Sequence, residues 1–146
     1  MLDDDTIRRT ALFFFFSIEN ELVAWEAAKS TLGHIQSLLK KSKEISPEIV
    51  LVRMSFKNWE KYQKAKAGKN QNLEGDLAFQ LPDGVDLGAW RQFAKDADRE
   101  ELLAVIWSKI LKLSDEVIAA GIHVTPGTVR HRVGRGLRLL GELKMY

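Results

Sequence analysis

The stretch LSDEVIAAGIHVTPGTVRHRVGRGLRLL, residues 113–140, decides how this chain is read. Ser114 can cap a short helix carrying Val117, Ile118 and Ala120, because its hydroxyl can accept a hydrogen bond from a first-turn N–H. Residues 121–124 form a brief connection. Thr125 then caps a second helix with Pro126 in its first position, where the missing N–H has no helical partner to lose. Val129, Val133 and Leu137, spaced by four, give this helix an inward face, while Arg130, His131, Arg132, Arg135 and Arg138 project mostly elsewhere. A short helix, a tight turn and a second helix with a basic outer face read as a helix-turn-helix. Such a helix has the right diameter for the major groove of DNA, and its capped first turn aims backbone N–H groups at a phosphate. Arginines near its start can reach guanine edges with two parallel hydrogen bonds, worth about 1–3 kcal/mol of discrimination each. Those further along neutralise phosphates. The plainer alternative is a solvated basic face on a terminal helix. The ordered run of cap, proline, glycine, threonine, valine and arginine argues against it.

Upstream of this stretch, Trp90, Phe93, Ala94 and Ala97 begin a helical pattern. Asp98 and Glu101 have capping-box spacing ahead of Leu102, Leu103, Ile106, Trp107 and Ile110. Residues 67–89 read as a linker, with Gly68, Gly75, Gly84, Gly88 and the turn signal Leu81-Pro82-Asp83-Gly84. Before it, Ser46, Pro47 and Glu48 mark a clean helix start. Ile49, Val52, Phe56 and Trp59 form an apolar stripe on that helix, and Arg53, Lys57, Lys61 and Lys64 form a basic one pointing another way. Asp3, Asp4 and Asp5 suit the positive end of a helix starting near Thr6, and residues 12–16 are apolar enough to be buried on several sides. Ser17 offers a break, Leu22, Val23, Trp25 and Glu26 begin a second helix, and Gly33 is expected to interrupt it. Strand-like alternation is absent from the sequence. The expected fold is all-α: a helical module over 1–66, a linker over 67–89, and a helix-turn-helix module over 90–146. Whether the two modules pack together is left open.

The chain has 146 residues, 45% apolar and 29% charged, the balance of a soluble globular protein. Its 22 basic residues nearly offset 20 acidic ones, so distribution matters more than the net charge of +2. With no cysteine, disulfide scaffolds, thiolate zinc sites and cysteine nucleophiles are excluded. The longest apolar run, residues 11–16, is far short of the roughly 20 residues that span a bilayer. It follows Arg8 and Arg9 as in a signal peptide, but Glu19 and Glu21 stand where small residues should form a cleavage site. A reducing, cytoplasmic setting with no membrane partner is the expectation. His34, His123 and His131 lack metal-ligand spacing, and the aspartate run is explained by the helix start. Gly134-Arg135-Gly136 follows no strand, and no nucleophile has a base and an orienting group beside it. Neither catalysis, nor a metal, nor a cofactor is expected.

Residues 113–137 resemble region 4 of sigma-70 family factors, especially the compact extracytoplasmic-function group. Leu113-Ser114, Ile118-Ala119, Gly127-Thr128-Val129-Arg130, Arg132, Val133 and Arg135 match the family pattern, and residues 99–103 (REELL) resemble the start of its preceding helix. The match covers roughly residues 90–146. It implies a module holding the −35 promoter element. Arg130, His131 and Arg135 would face base edges, with Arg132 and the turn residues Thr125, Gly127 and Thr128 on the phosphate side; Arg138, beyond the matched stretch, is read as a phosphate contact from its place further along the helix. Three positions depart from the pattern: His123 replaces a turn glycine, His131 a serine, and Gly134 a bulkier contact residue. Gly134 and Gly136 each weaken a helix by roughly 0.5–1 kcal/mol. Residues 50–64 resemble a helix of region 2, the region that grips the polymerase clamp and opens the −10 element. The acidic motif that usually precedes that region's clamp-binding helix is largely absent, with Glu21 and Glu26 remaining. The implied partners are double-stranded promoter DNA, RNA polymerase core and an anti-sigma protein. The stripe Arg53, Lys57, Lys61 and Lys64 is a candidate second nucleic-acid face, with Tyr62 expected exposed for stacking and Trp59 expected in the core. Phe13, Phe14, Phe15 and Phe16 are expected to pack inside rather than dock a partner. Two alternatives stay open. Thr128-Val129-Arg130-His131 also resembles the recognition helix of LuxR-type regulators, which bind DNA without polymerase. The two glycines would suit a helical interaction module that has lost DNA binding.

Overall fold

The computed structural model describes residues 2–42, 44–66 and 87–144, and these form seven α-helices, one π-helical segment and no strand. The all-α expectation holds. Helix α1 (Asp4–Ser17) is capped by Asp3, whose carboxylate accepts the Thr6 N–H at 2.8 Å, with Asp4 and Asp5 in the first turn. The Thr6 hydroxyl and then its backbone N–H hold the Asp3 carboxyl below its usual 3.8. A lowered folded-state value means the cap stabilises above that usual value and is lost as pH falls through the lowered one. Leu12, Phe13, Phe14 and Phe16 are all buried, as an apolar circumference requires. The helix ends at Ser17, and Asn20 caps α2 (Glu21–Lys41) through the Val23 N–H.

Helix α2 runs straight through Gly33, contrary to the expected interruption. A glycine there costs roughly 1 kcal/mol of propensity. Thr31 and Ile35, both fully buried on either side of it, anchor the helix against that cost. Helix α3 (Pro47–Lys66) starts where expected, with the Ser46 carbonyl accepting from the Val50 N–H. Its burial is wider than one stripe. Val50, Leu51 and Met54 join Val52 and Trp59 in the core because α3 packs against α1, α2 and α6 (Asp115–Ile122). Ile49 and Phe56 are half-buried. The polar core positions on α3 are satisfied: Asn58 donates to the Thr31 hydroxyl at 2.8 Å, and Ser55 donates to the Val52 carbonyl at 3.0 Å.

The second half begins with α4 (Leu87–Asp96), which starts within the stretch read as a linker; residues 67–86 lie outside the described residues. Helix α5 (Arg99–Val105) has Asp98 at its N-cap, but the side chain makes no capping hydrogen bond. The capping box does not form because Glu101 is buried and engaged elsewhere. A π-helical segment (Ile106–Ile110) follows, in which the Leu111 N–H bonds the Ile106 carbonyl at 2.9 Å. Lys112 takes φ 61° just after it, and Leu111 and Leu113 both turn inward.

The described residues of 2–66 and those of 87–144 share one core. Trp90 donates to the Phe16 carbonyl at 2.9 Å, Trp59 to the Ser17 carbonyl at 3.3 Å, and Trp107 to the Ser55 hydroxyl at 3.1 Å. The Trp107 ring also stacks on Phe13 with centroids 5.6 Å apart. Two glycines allow helices to approach closely. A Cβ on Gly121 would lie 2.5 Å from the Val52 side chain, and one on Gly136 would lie 2.5 Å from that of Val105. Gly134 faces open space, so the two glycines of the final helix are not equivalent. Gly136→Ala is expected to destabilise by about 1–3 kcal/mol through overpacking. Gly134→Ala should be neutral or stabilising by up to about 1 kcal/mol. Urea unfolding of both variants checks this, and equal responses would contradict the seating of the final helix on α5.

Candidate nucleic-acid interface

Two capped helices build the C-terminal face. Ser114 accepts the Val117 N–H at 3.2 Å and starts α6, with Asp115 and Glu116 in its first turn. The helix ends at His123, which takes φ 60° and ψ 47°, so the residue standing where the sigma pattern has glycine adopts the left-handed conformation that glycine favours. The N–H groups of His123 and Val124 both bond the Ala119 carbonyl. Thr125 then accepts the Thr128 N–H at 3.1 Å, its hydroxyl lies 2.9 Å from that of Thr128, and Pro126 opens α7 (Pro126–Lys144).

Helix α7 is continuous through Gly134, Gly136 and Gly141. Val129 is fully buried and Val133 nearly so, but Leu137 is 38% exposed, which corrects its expected inward place. At about 100° per residue, position 137 has rotated roughly 80° from Val129, whereas position 136 is within about 20°. Gly136 therefore occupies the inward position. Arg130, His131, Arg135 and Arg138 are exposed, and Arg132 is half-buried at the edge of the helix. Gly127, Gly134 and Gly141, spaced by seven, lie on the exposed side among them and keep that side low.

Two of the arginines have acidic partners that the sequence reading missed. Arg135 Nε lies 3.0 Å from Glu101 Oε1; the Arg135 side chain is 57% exposed and that of Glu101 only 11%. Arg130 lies 3.6 Å from Asp115, with side chains 63% and 28% exposed. The only sequence signal for either partner is a weak one: Asp115 and Glu101 sit in helix first turns, where acidic residues need no further explanation. Among the described residues His131, Arg132 and Arg138 form no ion pair.

The second basic stripe divides. Lys57 and Lys61 are exposed, the latter with Nζ 5.8 Å from the Tyr62 ring centre. Arg53 is half-buried, and its Nε is shielded from solvent without a hydrogen-bond partner, so it does not belong to an open face. The Lys64 side chain lies outside the described residues. Trp59 is in the core as expected, whereas Tyr62 is half-buried against the core rather than free. Phe13, Phe14 and Phe16 pack inside. Among the described residues no cluster of three potential metal ligands occurs, and no helix is long and apolar enough to cross a membrane.

A buried carboxylate stripped of its partner is expensive, less so when the lost partner was half-exposed. Arg135→Ala is therefore expected to cost about 1–2 kcal/mol of stability, and Arg138→Ala under about 0.5 kcal/mol. Thermal and urea unfolding of both variants measures the difference; a neutral Arg135→Ala would show that the Glu101 pair contributes nothing.

In comparison with known proteins, no family model matches the chain, and neither a curated protein nor a solved structure matches it.

Proposed function

We propose that the chain is a DNA-binding transcription factor of the short sigma-factor kind, entering the major groove of promoter DNA with α7. One observation carries the reading. An unbroken helix with a capped first turn exposes Arg130, His131, Arg135 and Arg138 on one side, and Thr125 and Thr128 lie at its start. Glycines among those arginines leave room for a close approach of a groove wall to the helix backbone. Arg130, nearest the helix start, would read bases. Arg138, two turns on, would neutralise phosphate. Engagement of RNA polymerase core, and control by an anti-sigma protein, rest on the sigma resemblance of the sequence.

A second reading, a helical interaction module without DNA binding, is favoured by the ion pairs of Arg130 and Arg135 with the chain's own carboxylates. Binding to duplexes across a salt series separates the two. DNA binding with a steep salt dependence supports the first reading, and none near physiological ionic strength supports the second. Under the first, Arg138→Ala weakens all duplexes alike and lowers the salt slope by about one, whereas Arg130→Ala relaxes base preference at a cost of about 1–3 kcal/mol on the best site. Equal, small effects of both substitutions would contradict this division of roles. Co-purification with core polymerase, scored by promoter-directed transcription, tests the polymerase part separately.

A further inference from the structure

We propose that the pocket between α3, α5, the π-helical segment and the α6–α7 turn binds a small aromatic monocarboxylate. The cavity measures about 170 Å³. Its inner wall is apolar: Trp107 is 1% exposed and Leu103 2%. Half-buried Phe56, Ile122 and Val124 flank it, and Arg99, Glu100 and Arg132 supply the polar rim.

The rim selects the ligand's charge. Arg99 is already engaged, paired with Glu60 at 2.9 Å and with its guanidinium 5.8 Å and 5.4 Å from the Phe56 and Trp59 rings. Arg132 has neither an ion pair nor a hydrogen bond among the described residues, yet most of its surface is withdrawn from water. A guanidinium in that position matches a carboxylate, which it can hold with two parallel hydrogen bonds. Exposed Glu100 on the same rim repels a second negative charge and so favours a monoanion over a phosphate or dicarboxylate.

The wall selects the ligand's body. An apolar cavity of about 150 Å³ accommodates a benzene ring. Trp107, stacked on Phe13 and edge-on to Phe56, closes the floor, and the half-buried Phe56, Ile122 and Val124 offer the apolar contacts for a ring. An inorganic anion would leave the apolar wall wetted, and a neutral ring would leave Arg132 unanswered. The site borrows Arg132 from the edge of the proposed DNA face, but its test involves no nucleic acid, so its failure and that of the DNA reading are distinguishable.

The test follows the Trp107 indole N–H and the Val124 amide by two-dimensional NMR while benzoate, benzyl alcohol or acetate is added to the full chain. Benzoate is expected to give saturable shifts of both signals in the millimolar range or below, with the other two compounds at least several-fold weaker. Arg132→Gln should weaken benzoate about tenfold, the loss of one charge-assisted pair. Glu100→Gln should tighten it about two- to threefold by removing the like charge. Both substitutions lie on the rim, and amide signals remote from the pocket report whether the fold is intact. Benzyl alcohol binding as tightly as benzoate, acetate matching benzoate, no saturable shift, or full benzoate affinity in a folded Arg132→Gln protein would each overturn the proposal.

Discussion

A buried indole needs an acceptor for its N–H, and this chain answers that need across long stretches of sequence. Trp107 reaches Ser55, Trp90 reaches the Phe16 carbonyl, and Trp59 reaches the Ser17 carbonyl. Each bond ties segments that helix propensity alone would leave independent. An unsatisfied buried donor costs about 1–3 kcal/mol, so these bonds penalise any arrangement in which the segments drift apart. Trp107 is central. Stacked on Phe13, edge-on to Phe56 and bonded to Ser55, it joins α1, α3 and the π-helical segment at one point.

The same core sets the availability of the arginines on α7. Once Gly136 seats the helix on α5, Arg135 falls beside Glu101, whose carboxylate is nearly withdrawn from water. That pair has a structural part to play. Arg130 and Asp115 are farther apart and more exposed, and such a contact is worth at most about 1 kcal/mol. A partner offering a phosphate or a guanine edge can displace Asp115 at little cost. The two ion pairs thus differ in kind: one holds α7 against α5, and the other is readily exchanged.

Arg132 stands between the two surfaces. It leaves α7 at the edge of the exposed face and lines the pocket beneath the turn, whose other wall includes Ile122 and Val124. The left-handed His123 fixes that turn, so the pocket and the start of α7 are positioned by the same few backbone hydrogen bonds.

Most helix starts legible in the sequence are ones whose deciding bond spans only a few residues, although the equally local Asn20 cap was missed. Ser114 onto Val117, Thr125 onto Thr128 and the proline after each of Ser46 and Thr125 are local events, and the all-α class follows from their apolar periodicity. The left-handed turn at His123 was marked only by the resemblance, whose pattern carries a glycine there. What failed to show was everything settled by residues far apart. Gly33 looked like a break, yet Thr31 and Ile35 are held by contacts from other helices. Asp98 and Glu101 had the spacing of a capping box, yet Glu101 turned to Arg135, more than thirty positions away. Leu137 lost its expected inward place to Gly136 because the helical angle drifts and because only a glycine clears Val105. Arg53 lost its solvent to packing around α3. Short-range hydrogen bonding can be read along the chain; which faces meet depends on how several helices share one limited volume, and only the folded structure decides that.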